Sequence, residues 1–154
     1  MEESVADATG KCYVASATRF WEIAVFARSQ LIKLILVSLA LWISAMLYIR
    51  LFPSWTLDPV MGGLSFLTTF LLAWLSIILI RKVAGLKTEQ LIAGVGVVGT
   101  VAMMIDGAVL HWAPTIYGAS ETVVRLGAAW LLWGYGVNLG IALFMSGSIS
   151  RSAR

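Results

Sequence analysis

Four apolar runs, at 31–49, 60–80, 91–112 and 123–144, limit what this chain can fold into more than any other feature. Each is close to the roughly 20 residues that an α-helix needs to cross a hydrocarbon core about 30 Å thick. Lipid offers no partners for backbone N–H and C=O groups, so apolar runs of this length are read as transmembrane helices, whose hydrogen bonds are internal. Composition agrees, because 60% of the 154 residues are hydrophobic and 12% charged, against about 45–50% and 25% in an ordinary soluble domain. The expected fold is an all-α integral membrane four-helix bundle, with 1–30 as an N-terminal segment and 145–154 as a tail. All three prolines, Pro53, Pro59 and Pro114, fall between the runs, where a fixed φ and a missing N–H suit turns and helix starts.

Charge placement sets the expected topology. Lys11, Arg19, Arg28 and Lys33 precede or open the first run, Arg81, Lys82 and Lys87 lie between the second and third, and Arg151 and Arg154 close the chain. Arg50 and Arg125 alone lie at the opposite ends. Cytoplasmic flanks collect Lys and Arg, so this nine-to-two division places both termini in the cytoplasm (N-in/C-in). An even number of spans demands the same. The basic residues are scattered and not gathered into a stripe, so no nucleic-acid partner is expected. One cysteine, Cys12, and one histidine, His111, permit neither an internal disulfide nor a thiolate or His-rich metal site. No metal or cofactor is expected.

The first run is not read as a cleaved signal sequence. Its basic flank lies about thirty residues into the chain, and bulky Tyr48-Ile49-Arg50-Leu51 follows it where a peptidase needs small residues. Within 1–30, the acidic start at 1–10 is expected to be disordered. Residues 13–30 mix Phe20, Trp21 and Phe26 with Arg19, Glu22 and Arg28. Two readings stay open for them, a short amphipathic helix lying on the cytoplasmic leaflet and an irregular tail.

An ionisable side chain inside a span costs about 2.5–3.5 kcal/mol at the helix centre, which makes it a functional candidate by default. Asp106 is the clear case, about six residues from the end of the third run. At 100° per residue it shares a face with Gly96, Gly99, Met103, Gly107 and Leu110, and that small-residue face suits close approach of another helix. One reading makes Asp106 a proton or cation site; the preferred one pairs it with Arg50, at comparable depth, as a clamp on the bundle. Asn138, in the fourth run, is read as an interhelical hydrogen-bonding group in preference to a substrate contact. Gly136 and Gly140 form a GxxxG pair that marks either packing within the bundle, the preferred reading, or a homodimer seam. Asp58 and the Ser120–Glu121 pair read as helix starts, and His111 as an interfacial residue. Ser65, Thr68, Thr69 and Ser76 have no neighbouring base in the sequence and read as back-bonding or interhelical groups. No catalytic constellation emerges, and no enzyme activity is expected.

Three segments carry a resemblance: Ala45-Met46-Leu47-Tyr48-Ile49-Arg50; Met104-Ile105-Asp106-Gly107 followed by Pro114 and Tyr117; and Ala129-Trp130-Leu131-Leu132-Trp133-Gly134-Tyr135. Together they resemble a family of small bacterial four-helix membrane proteins of unknown function, over about 31–144. The resemblance implies the architecture and the importance of Arg50 and Asp106; it supplies no substrate, and the expected location is the bacterial inner membrane. The expected role is a structural or accessory membrane subunit, with a small proton- or cation-coupled transporter using Asp106 as the alternative. Expected partners are the lipid bilayer and either further copies of the chain or a larger membrane complex.

Overall fold

The computed structural model describes residues 26–152, with side chains described as far as 146. Four long helices form the body: α1 (Arg28–Leu51), α3 (Pro59–Ala84), α4 (Leu91–Trp112) and α5 (Glu121–Ser152). A five-residue helix, α2 (Pro53–Leu57), fills the first connection, and single 3₁₀ turns occupy Thr88–Gln90 and Pro114–Ile116. No strand occurs among the described residues. Of the segment read either as an interfacial helix or as an irregular tail, 13–25 lie outside the described residues, and Arg28–Gln30 form the start of α1. Through the segment expected as a tail from 145, α5 runs on to Ser152, as no proline interrupts it.

Local chemistry sets the helix ends. Pro53, Pro59 and Pro114 each open a helical turn, where the N–H that proline lacks would have had no partner. The Asp58 carboxylate accepts from Val60 N at 2.9 Å and Met61 N at 2.8 Å, so it caps α3 and meets the positive end of its dipole. At the other end Gly85 adopts φ 61° and ψ 44°, the left-handed conformation that stops a helix and that a side chain disfavours. Its carbonyl accepts from the Gln30 amide at 3.2 Å, tying the start of α1 to the end of α3.

Hydrogen bonds across the bundle fix which helices are neighbours. Ser38 Oγ donates to the Val98 carbonyl at 2.8 Å, and Trp42 reaches Asp106 further along, so α1 and α4 lie side by side and parallel. Likewise Trp130 Nε1 donates to the Ser65 carbonyl at 3.2 Å and Ser76 Oγ to Asn138 Oδ1 at 2.7 Å, so α3 and α5 are parallel neighbours. The ring order is α1, α3, α5, α4. One end of the bundle carries the connections 52–58 and 113–120 (the two-loop end) and the other carries 85–90 (the one-loop end).

The core is divided. At the one-loop end Leu34, Ile77, Ile80 and Leu91 are at most 1% exposed. At the two-loop end Ile49, Tyr117, Val123 and Leu131 form a second cluster. Outside, the molecule is apolar: Leu36, Leu67, Leu132 and Phe144 are each more than half exposed. A water-soluble bundle would turn polar faces outward. All four long helices are long and apolar enough to cross a membrane.

Close helix contact is made by glycines other than those expected. A Cβ on Gly127 would stand 2.9 Å from Ile49 Cγ2, and one on Gly94 2.4 Å from Leu86 Cδ1. At Gly96, Gly99, Gly136 and Gly140 a Cβ would meet nothing within 4 Å. Asp106 lies on the buried face of α4 with Val95, Val98 and Ala102, whereas Gly96 and Gly99 border an open space between helices. The Gly136–Gly140 pair lies on the outer surface, so packing within the bundle does not use it. Gly127→Ala should therefore destabilise the protein by about 1–3 kcal/mol through overpacking, whereas Gly136→Ala and Gly140→Ala should be neutral or slightly stabilising. Denaturant midpoints of the three purified variants check the contrast.

Candidate functional site

Asp106 is 4% exposed and has three neutral donors around its carboxylate. Trp42 Nε1, from α1, donates to Oδ1 at 2.8 Å. The Tyr117 hydroxyl, from the turn after α4, donates to the same oxygen, and the Tyr135 hydroxyl, from α5, donates to Oδ2. Trp42 Nε1 also lies 3.0 Å from the Tyr117 hydroxyl, closing the network on itself. Each donor pairs an apolar ring with a polar tip, so it can sit in a core and still satisfy a charge. A carboxylate that accepts several hydrogen bonds needs no cation beside it.

The expected Arg50–Asp106 ion pair does not form. The Arg50 guanidinium donates instead to the carbonyls of Thr115 at 3.2 Å and Ile116 at 2.9 Å. Those carbonyls belong to the turn that presents Tyr117. The two residues are linked through that turn, with Arg50 steadying the loop and Tyr117 reaching the carboxylate. At an exposed helix end the guanidinium can stay hydrated while it holds the loop, which a buried pair would forbid. Burial, then the hydrogen bond and negative charge of Asp106, push the Tyr117 hydroxyl well above the ordinary tyrosine range.

Beside this knot lies a chamber of about 610 Å³, lined by all four long helices. Trp42 and Tyr135 belong to both, as knot donors and as chamber wall. Tyr48 and Trp130 line the same end, their rings 5.0 Å apart, and the Tyr48 and Ser65 hydroxyls share a 2.7 Å hydrogen bond. Further toward the one-loop end, Ser76 and Asn138 line the chamber as an interhelical pair, the Asn138 amide also donating to the Gly134 carbonyl at 3.1 Å. The rest of the wall is mostly apolar, with Gly96 and Gly99 providing width. Asp106 is not part of the wall. Among the described residues no group of three or more His, Cys, Asp or Glu could hold a metal ion.

Sequence reasoning singles out Asp106 and Asn138 as the polar side chains inside spans, and both take part. It does not link Asp106 to Trp42 or Tyr135, which lie 64 and 29 residues away in sequence. No local pattern marks Tyr117 or Tyr135 as a partner of Asp106; a tyrosine near a span end, such as Tyr117, reads first as an interfacial residue. Compared with family models, curated proteins and solved structures, the chain gives no match.

Asp106→Asn replaces a doubly accepting carboxylate by an amide whose N–H₂ faces a hydroxyl donor. Stability should fall by about 3 kcal/mol, and the charge-swapped pair Arg50→Asp with Asp106→Arg should not restore it. Unfolding titrations of the single and double variants test this. Tyr117 also predicts a pH dependence. Its folded pKa is raised, so its stabilisation is fully present below the unfolded value of about 10 and is lost as pH rises above it. The stability of wild type should drop more steeply above pH 10 than that of Tyr117→Phe, which has no proton to lose.

Proposed function

We propose that the chain is a four-span integral protein of the bacterial inner membrane, with the one-loop end cytoplasmic, and that its helices enclose a binding chamber for a small, largely apolar molecule drawn from the bilayer. The nine-to-two distribution of basic residues and the apolar outer surface support the orientation and the setting. The chamber carries the functional reading. Its volume of about 610 Å³ falls within the roughly 300–1,000 Å³ of small-molecule sites.

The position of its wall supports entry from lipid. Among the lining residues Leu72, Leu75, Met103 and Leu139 are themselves 46–51% exposed, and all lie in the middle stretches of their helices. The chamber wall therefore reaches the apolar flank of the bundle, away from both loop ends. Cation coupling at Asp106 would need a carboxylate oxygen available to the chamber, whereas all three neutral donors converge on that group from around it.

Filling the chamber tests the reading. Because a Cβ at Gly96 or Gly99 meets nothing within 4 Å, the Gly96→Leu, Gly99→Leu double variant should fold with a midpoint close to wild type. Native mass spectrometry of protein released from lipid nanodiscs should then show a retained small apolar molecule on wild type and none on the variant. Identical spectra from two folded proteins would refute the chamber.

A further inference from the structure

The chamber wall also specifies the kind of molecule it would hold, an inference that rests on the binding-chamber reading. Its chemistry is unusual for so large a site. No Lys, Arg, His, Asp or Glu lines it. An ionised ligand placed there would be desolvated without a counter-charge, at a cost of several kcal/mol. Asp106 offers no such charge, because both of its oxygens are engaged by Trp42, Tyr117 and Tyr135.

Ser44, Tyr48, Thr69 and Thr100 also bring hydroxyls to the wall, but Ser76 and Asn138 are the lining pair whose polar groups meet across two helices. A serine hydroxyl offers one proton and two acceptor sites, and an asparagine amide two N–H donors and one carbonyl. Ser76 Oγ lies 2.8 Å from the Ala73 carbonyl and 2.7 Å from Asn138 Oδ1, so its single proton is committed to these two acceptors. Its lone pairs remain. Asn138 Nδ2 gives one N–H to the Gly134 carbonyl, and the other remains. The Ser76–Asn138 pair thus offers one donor and one acceptor side by side on a mostly apolar wall. A hydroxyl group matches both, accepting from the Asn138 amide and donating to Ser76 Oγ. A hydrocarbon uses neither, and a carboxylate or ammonium uses one and brings an unpaired charge.

We infer that the chamber selects a neutral amphiphile, a long apolar molecule headed by a single hydroxyl, with the hydroxyl bound between Ser76 and Asn138. Its apolar body lies along Leu72, Leu75, Gly99 and Met103 toward the apolar flank. The ligand needs no charge neutralisation and no metal, and it reaches the site from lipid without crossing water.

Four probes of equal chain length separate the possibilities: 1-dodecanol, dodecane, dodecanoate and dodecylammonium, each added to full-length protein in nanodiscs at matched membrane mole fraction. Binding is read as the rise in thermal midpoint with probe concentration. Wild type should bind dodecanol about tenfold more tightly than dodecane, the ratio that one to two net hydrogen bonds supply, and neither ionised probe should compete. Ser76→Ala and Asn138→Leu should each bring the dodecanol-to-dodecane ratio close to one while dodecane binding persists, which also shows that the variants are folded. Equal binding of dodecanol and dodecane by wild type, competition by an ionised probe, or an unchanged ratio in both variants overturns the hydroxyl-headed class and leaves the chamber standing. If none of the four binds, the chamber reading falls and this inference with it.

Discussion

A carboxylate enclosed by apolar helices must find donors, and the way Asp106 finds them organises the two-loop end of this bundle. Its oxygens gather Trp42 from α1, Tyr117 from the 113–120 connection and Tyr135 from α5 around a residue of α4. Four stretches of chain are thereby held at one point. Because all three donors are neutral, the negative charge is accommodated by dipoles already fixed by packing, and no buried cation has to be desolvated beside it. Arg50, expected as the partner, acts one step away by holding the carbonyls of the turn from which Tyr117 projects.

The knot also has consequences for the chamber. Trp42 and Tyr135 are drawn toward Asp106 by their polar tips, and their rings form part of the chamber wall. Beyond them the helices face one another with small residues, Ala73, Gly96, Gly99 and Gly134 among them. Large buried side chains lie instead at the two ends, around Leu34, Ile77 and Ile80 on one side and Ile49 and Tyr117 on the other. The bundle is thus filled at both ends and open between them. The same arrangement keeps Asp106 out of the chamber, on whose wall Ser76 and Asn138 meet as a polar pair.

Within this frame the glycines divide by what surrounds them. Gly127 and Gly94 let helices and the 85–90 connection approach closely, with Ile49 and Leu86 occupying the space that a side chain would take. Gly96 and Gly99 border the chamber, and Gly136 and Gly140 the outer surface. Helical periodicity assigns residues to faces, but it cannot say what each face meets, and a GxxxG spacing is compatible with either an empty or an occupied face.

By itself the sequence determined the number and apolar character of the long helices and where several of them begin, because each property is local: an uninterrupted apolar run, a proline at a helix start, an aspartate able to cap the next turn. It also picked out Asp106 and Asn138, since a polar residue within such a run is conspicuous whatever surrounds it. Three things were decided only by the tertiary structure: the exchange of the expected Arg50 partner for Trp42, Tyr117 and Tyr135, the contrasting surroundings of the glycines, and the chamber itself. All three depend on which helices become neighbours and how far apart they stand. In this ring α1 lies beside α4, and α3 beside α5, so most of the decisive contacts join residues about 30 to 65 positions apart, beyond the reach of any local pattern.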